Sequence, residues 1–294
     1  MFGLLDRSLR QPGLSRRRVR LGVEQLETRD CPSVSFLNFG VSVLNVGKQV
    51  ELRGMISDPN PTSVQVNFSG VATGSVYADA NGYFDVKTTA SGLGTVNASA
   101  IDNVGSVAGA SSQVTDAAPS LTLYFTYGAN KQVTLYGKVT DAQSGGMTVN
   151  FSGVATGSVV TNPDGSFSKT LTATALGTIT AATQDVWGLT SAAAQVNVTN
   201  TAPTITLTAA NVSGNAWTFT GKVTDEYAPG LVVTFNSTMP EVNGKTAVVQ
   251  ADGTFLLAVQ LQPGESGWVY ATTTDWWGVE SNIAAFCLSS HSAT

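Results

Sequence analysis

The chain has 294 residues, with 15 Lys and Arg against 20 Asp and Glu and one His, for a formal net charge of −5. Charged residues make up only 12%, about half the usual quarter, so Thr, Ser, Asn and Gln must carry solubility. Such a surface suits an extracellular protein better than a cytosolic enzyme. The acidic balance argues against nucleic-acid binding, which needs a basic face, and the sequence lacks the apolar run, about 18 residues or more, that would predict a transmembrane helix.

Residues 1–33 read as a segment apart. They hold Arg7, Arg10, Arg16, Arg17, Arg18, Arg20 and Arg29 and show no alternation of apolar and polar positions. Clustered arginines repel one another and have no core to join, which predicts a disordered or partly helical basic tail. Near an anionic lipid surface each cation would add about 1 kcal/mol of attraction. Ser15-Arg16-Arg17-Arg18-Val19 lacks the apolar stretch that should follow a twin-arginine signal. Leu26, Glu27, Arg29, Pro32 and Ser33 form an L-E-x-R-x-x-P-S pattern. It resembles an N-terminal motif of surface and secreted proteins of planctomycete bacteria. That resemblance implies a role in export or surface sorting.

From residue 34 onward the chain repeats itself. Val66 to Val76 recurs letter for letter as Val149 to Val159, and a diverged copy follows from Val233-Thr234-Phe235. Gly54-Met55-Ile56-Ser57-Asp58 corresponds to Gly137-Lys138-Val139-Thr140-Asp141 and Gly221-Lys222-Val223-Thr224-Asp225. Asn81-Gly82-Tyr83-Phe84 corresponds to Asp164-Gly165-Ser166-Phe167 and Asp252-Gly253-Thr254-Phe255. Asp102-Asn103-Val104-Gly105 corresponds to Asp185-Val186-Trp187-Gly188 and Asp275-Trp276-Trp277-Gly278. The period is roughly 84 residues, beyond the 20–50 of a solenoid and enough for a small domain. The expected organisation is a tail over 1–33 and domains over 34–117, 118–201 and 202–294.

Each copy reads as strands. In the second, Val133, Leu135, Gly137 and Val139 alternate with Thr134, Tyr136, Lys138 and Thr140, and Met147, Val149 and Phe151 alternate with polar residues. A period of two buries one set and wets the other. About seven strands fit each copy, in the second near 120–126, 131–140, 147–152, 154–160, 165–172, 176–184 and 190–199, which predicts an all-β, immunoglobulin-like β-sandwich. Asp164-Gly165 reads as a hairpin turn. Lys169 falls on the same face as Leu171, which requires either an edge position with a snorkelling stem or a bulge. Lys48, Lys131, Lys138 and Lys222 are expected to guard edge strands against sideways pairing.

These motifs resemble the bacterial immunoglobulin-like domains of large secreted and surface proteins: G-x-V-x-D, D-G-x-F, and Ala182-Thr183-Gln184-Asp185-Val186-Trp187-Gly188-Leu189-Thr190-Ser191. The linkers Ala118-Pro119 and Ala202-Pro203 resemble the joints between such modules. The resemblance spans 34–294 and implies architecture, with little said about function. Ser237 to Val249 of the third copy departs from it by its length.

The chemistry expected is sparse. His291 lies four residues from the C-terminus, where chains fray, so a catalytic triad is not expected and the chain is read as non-enzymatic, with no catalytic residue and no cofactor. Cys31 and Cys287 sit in different segments, which predicts no disulfide framework. Asp58, Asp141 and Asp225 recur, as do Asp102, Asp185 and Asp275, and each can cap its own turn without a metal. Calcium at the domain junctions, with Asp116 of the first linker, is the alternative; the second linker carries Asn200 there. Trp187 and Trp277 align with Val104 and read as packing. Trp276 aligns with Val186 and Asn103 and is the candidate ligand contact. The function expected is a structural or adhesive extracellular or cell-surface array that spaces or displays binding surfaces for a surface protein or polysaccharide. The alternative is a carbohydrate-binding array using the aromatics of the third domain and its 237–249 loop.

Overall fold

The computed structural model describes residues 33–44 and 46–289. The first module contains β1 (Ser35–Val43), β2 (Gln49–Ser57), β3 (Gln65–Gly70), β4 (Gly74–Tyr77), β5 (Tyr83–Thr89), β6 (Gly94–Ile101) and β7 (Val107–Val114). They form two antiparallel sheets, β1-β2-β5 and β4-β3-β6-β7. The second module repeats this with β8 (Ser120–Tyr127), β9 (Gln132–Thr140), β10 (Thr148–Gly153), β11 (Gly157–Val160), β12 (Ser166–Thr172), β13 (Gly177–Thr183) and β14 (Ala194–Val198), in sheets β12-β9-β8 and β11-β10-β13-β14. The third has β15 (Thr204–Ile205), β16 (Thr208–Ser213), β17 (Ala216–Thr224), β18 (Val232–Ser237), β19 (Thr246–Val248), β20 (Thr254–Gln260), β21 (Gly267–Thr273) and β22 (Ala284–Leu288). There β15, β16 and β20 pair with β17, opposite β19-β18-β21-β22. The protein is all-β, built of tandem immunoglobulin-like sandwiches.

Alternation produces the cores. On β2, Val50, Leu52 and Ile56 are buried while Arg53 and Ser57 face water; on β10, Val149 and Phe151 are buried between exposed neighbours. Burying each such side chain contributes about 1.5–3 kcal/mol. The two most legible motifs meet in each core. Gly54, Gly137 and Gly221 pair across the ladder with Phe84, Phe167 and Phe255. A Cβ on these glycines would lie 2.6, 2.9 and 2.6 Å from the Phe ring Cζ, inside van der Waals contact. The same Cβ would strike a backbone carbonyl on the other side, that of Asn38, Thr122 or Thr206, so the glycine makes room both for that neighbouring backbone and for the ring of the D-G-x-F or N-G-x-F segment. That ring packs against Phe68, Phe151 or Phe235 with centroids 6.0 Å apart in all three modules.

Three expectations need correction or resolution. The Asp164-Gly165 turn is not a hairpin: it joins β11 to β12, which lie in opposite sheets. Asp164 accepts from the Ser166 N–H and hydroxyl, and Gly165 at φ +81° accepts from the Val139 N–H, so the turn carries the chain over the sandwich end. Lys169 sits on an edge strand in unbroken register with β9, opposite Leu135, so the edge reading holds and there is no bulge. The four lysines do not guard edges. Lys138 and Lys222 lie on β9 and β17, the central strands of their sheets, and Lys48 and Lys131 lie in turns at module ends.

Candidate functional site at the module junctions

The Asp-x-x-Gly turn before the last strand has one design in all three modules. Asp102, Asp185 and Asp275 each accept two backbone N–H bonds through Oδ1, from Val104 and Ser106, Trp187 and Leu189, and Trp277 and Val279. The glycine that closes the turn has φ of +87°, +92° and +89°. Burial opposes the Asp102 charge, but the N–H groups of Ser106, Val104 and Gly105 outweigh it and hold its carboxyl below the usual range. Turn capping thus occurs as expected. It uses one carboxylate oxygen and leaves the other to be satisfied elsewhere.

The same turn projects the residue before its glycine out of its own sandwich. Trp187 is 9% exposed and belongs to the core of the first module, with Leu189 against it. Trp277 packs against the core of the second. Val104, at the corresponding place in the first module, is 75% exposed. The tryptophans are packing residues, but each packs on the module before its own. The turn lysine of the preceding module covers each ring, Lys48 at 6.0 Å from the Trp187 centroid and Lys131 at 5.3 Å from that of Trp277. Such a cation over an indole face contributes about 0.5–1 kcal/mol when exposed. Both lysines were visible in the sequence, and copy comparison could have matched them as partners of the two tryptophans; only the fold gives the destination.

Polar contacts complete the first junction. The Gln143 carboxamide donates to the Gly47 carbonyl at 2.9 Å and accepts from the Gly47 N–H at 2.8 Å. Beside this clamp the carboxylates of Asp116, Asp141 and Asp185 converge, with one oxygen of each within 4.8 Å of the others. Asp141 accepts from the Gln143 N–H, and Asp185 Oδ2 is buried without a hydrogen-bond partner. Burial, and then the charges of Asp141 and Asp185, push the Asp116 carboxyl up.

The second junction resolves the same geometry differently. Asn200, where the first linker has Asp116, donates its Nδ2 to Asp275 Oδ2 at 2.7 Å. Thr201 donates its N–H and hydroxyl to Glu226 Oε1. Asp225 Oδ1 and Glu226 Oε2 remain buried and unpaired, and burial, followed by the charges of Glu226 and Asp275, pushes the Asp225 carboxyl up.

The remaining site residues fall as follows. Trp276 is half-buried against the third core, and its indole N–H donates to the Tyr227 carbonyl at 3.0 Å. It borders an open cleft of about 350 Å³ with Gly230, Thr234 and Thr272. Trp268 and Tyr270, 51% and 42% exposed, stack on the outer face of β21 at 6.2 Å and 16°. The 237–249 loop does not project as a free finger; Met239 and Val242 are buried in the third core. Cys287 is exposed with a free thiol. Of the sorting motif, Ser33 is exposed, while Leu26, Glu27, Arg29 and Pro32 lie outside the described residues, as do Cys31 and His291. Among the described residues no helix is long and apolar enough to cross a membrane.

No protein-family model matches the chain, and neither does any curated protein. Solved structures similar to it include the tetra-tandem repeat from the extending region of a large adhesion protein, 22% identical, covering 87% of this chain and 74% of that one, TM-score 0.34. Another is invasin, a bacterial integrin-binding protein, 17% identical over 89% of this chain and 60% of its own length, TM-score 0.35. A third is the BSP domain of a biofilm-associated protein, 10% identical over 89% and 67%, TM-score 0.25.

Proposed function

We propose that the chain is a non-catalytic extracellular or cell-surface array that spaces and displays binding surfaces, acting as an adhesive or structural protein. The observation that carries this reading is Trp187 seated in the core of the preceding module beneath Lys48. A tethered pair of independent domains has no use for such a plug. A spacer whose modules must hold their relative orientation does, because the ring couples the joint to core packing. The weakly charged surface fits the extracellular setting, and residues 1–33 are proposed to serve export or sorting, with their arginines able to touch anionic lipid. Partners of this reading are a surface protein or a polysaccharide.

The test is location and adhesion together. Protease added to intact native cells should degrade the protein, and cells lacking it should lose attachment or surface cohesion. A protein wholly protected inside intact cells would refute the reading.

A second reading, carbohydrate binding by the third module, is favoured by one feature. Trp268 and Tyr270 offer a flat aromatic pair where the other copies have Thr178 and Thr180, or Thr95 and Asn97. Flat aromatic faces stack on sugar rings. Glycan binding lost on Trp268→Ala and kept on Trp276→Ala would assign the contact to the β21 face; the reverse would assign it to the cleft beside Trp276.

A further inference from the structure

We infer that the 237–249 loop is the third sandwich's own stand-in for a docking tryptophan, and that it seals the far pole of that sandwich against a further module. The far pole is the end at which Lys48 and Lys131 cover the incoming rings. Backbone bonds identify it in all three copies. The Ala90 N–H donates to the Lys48 carbonyl, that of Ala173 to Lys131 and that of Leu261 to Asn215, each at 2.9 Å. The β3–β4 and β10–β11 loops lie at the same pole, where the Ser91 N–H donates to the Val71 carbonyl and the Thr174 N–H to that of Val154.

The side chains at this pole differ according to whether a ring enters. Where Trp187 joins the first core and Trp277 packs on the second, the buried residues are small: Ala72 and Ala90, then Ala155 and Ala173. The third sandwich has Met239 and Leu261 at those two positions, both buried, and its longer loop adds Val242, which is fully buried. The two exchanges and Val242 together bring about as many heavy atoms as an indole ring holds. A core filled to native density has no second space for such a ring. The cation is missing too, since Asn215 stands where the other poles carry Lys48 and Lys131.

The loop is fixed in its place. The Met239 carbonyl accepts from the Val242 and Asn243 N–H groups at 3.1 and 2.9 Å, and the Gly244 N–H returns to the Phe235 carbonyl at 2.8 Å. The Gln262 carboxamide reaches across the pole and donates to Glu241 Oε1 at 2.9 Å.

A seam needs a ring on one side and a socket on the other. An open socket can take the ring of another copy, a head-to-tail contact that does not close and grows into fibres. The filled pole of the third sandwich withholds the socket, and Val104, 75% exposed at the matching turn of the first, supplies no ring. This inference rests on the seams alone and does not depend on what the array adheres to.

The experiment appends a second copy of residues 199–294 after Leu288, which pairs with Gly267 as Val198 pairs with Gly177 ahead of the second linker. The added sandwich then offers its tryptophan to the sealed pole through a native linker, and calorimetry shows that it melts cooperatively. Limited proteolysis read by mass spectrometry should cut the new linker about tenfold faster than the identical native one. Trp277→Ala in the added copy should leave that rate unchanged, whereas Trp277→Ala at the original position should speed cleavage of the native linker. A second extended chain opens the pole with Asn215→Lys, Leu261→Ala and residues 237–244 exchanged for residues 153–156; its new linker should be cut as slowly as the native one. A new linker that resists cleavage while the pole is sealed, or faster cleavage on Trp277→Ala in the added copy, would overturn the proposal. So would fast cleavage in the opened chain once calorimetry shows all four sandwiches folded.

Discussion

The Lys131 ammonium lies 5.3 Å from the centroid of the Trp277 ring, so a turn of the second module grips a side chain of the third. Trp277 is half-buried there, which makes Trp277→Ala a loss of about 2 kcal/mol to the second module, below the 3–5 of a fully buried tryptophan. Lys131→Ala should cost about 0.5–1 kcal/mol. Lys131 has φ +60°, so Lys131→Gly relieves backbone strain while removing the cation and should be milder than Lys131→Ala. Scanning calorimetry of the three variants checks the order.

Gly137 is held to glycine first by the Thr122 carbonyl of β8, which a Cβ would strike, and second by the Phe167 ring. A methyl at this position would lie 2.9 Å from the ring and would also meet the β8 backbone. Gly137→Ala should destabilise the second module by about 2–3 kcal/mol, in the range of overpacked cores. Gly137→Ala combined with Phe167→Leu should recover little of the loss, because the Thr122 carbonyl still meets the added methyl, as measured by urea unfolding. A double variant as stable as Phe167→Leu alone would mean that the ring, and not the carbonyl, excludes the methyl.

The period of two was enough to find the strands, because a half-buried sheet writes its burial directly into alternate residues such as Val133, Leu135 and Val139. The recurring Asp and Gly also declared their turns, since a cap bond and a positive φ are local requirements. What the sequence could not show was direction across a seam. Trp187 is apolar at an apolar position in every copy, and nothing local says that its ring leaves its own sandwich. Lys48 and Lys131 read as edge guards because their role depends on a tryptophan that arrives more than a hundred residues later. Asp164-Gly165 has hairpin chemistry, yet the strands on its two sides pair with different partners, a choice made by the whole sheet.

Asp225 gives the second junction a definite pH dependence. Burial, with the charges of Glu226 and Asp275, raises its carboxyl. The folded state then binds this proton more tightly than the unfolded chain does. Its contribution is fully present below the ordinary Asp range, about pH 3.9, and is lost as pH rises through the raised folded value. Asp225→Asn removes that loss. The variant should be more stable than the unaltered chain at neutral pH, and the gap should close by about pH 3, as read from urea midpoints at both values.

Gln143 clamps the first junction through two bonds to Gly47. Both are exposed, so Gln143→Ala should cost about 1 kcal/mol of coupling between the first two modules. Gln143→Glu should cost more. It sets a carboxylate against the Gly47 carbonyl and adds charge beside Asp116, Asp141 and Asp185. The difference would appear as a lower transition temperature for the first module.

The most direct test of coupled modules is hydrogen exchange by mass spectrometry on Trp187→Ala. The altered residue belongs by sequence to the second sandwich. If it plugs the first, protection should fall most in Gln49–Ser57, Gln65–Gly70 and Gly94–Ile101, with little change in β9 and β10. Loss of protection confined to the second sandwich would contradict the account.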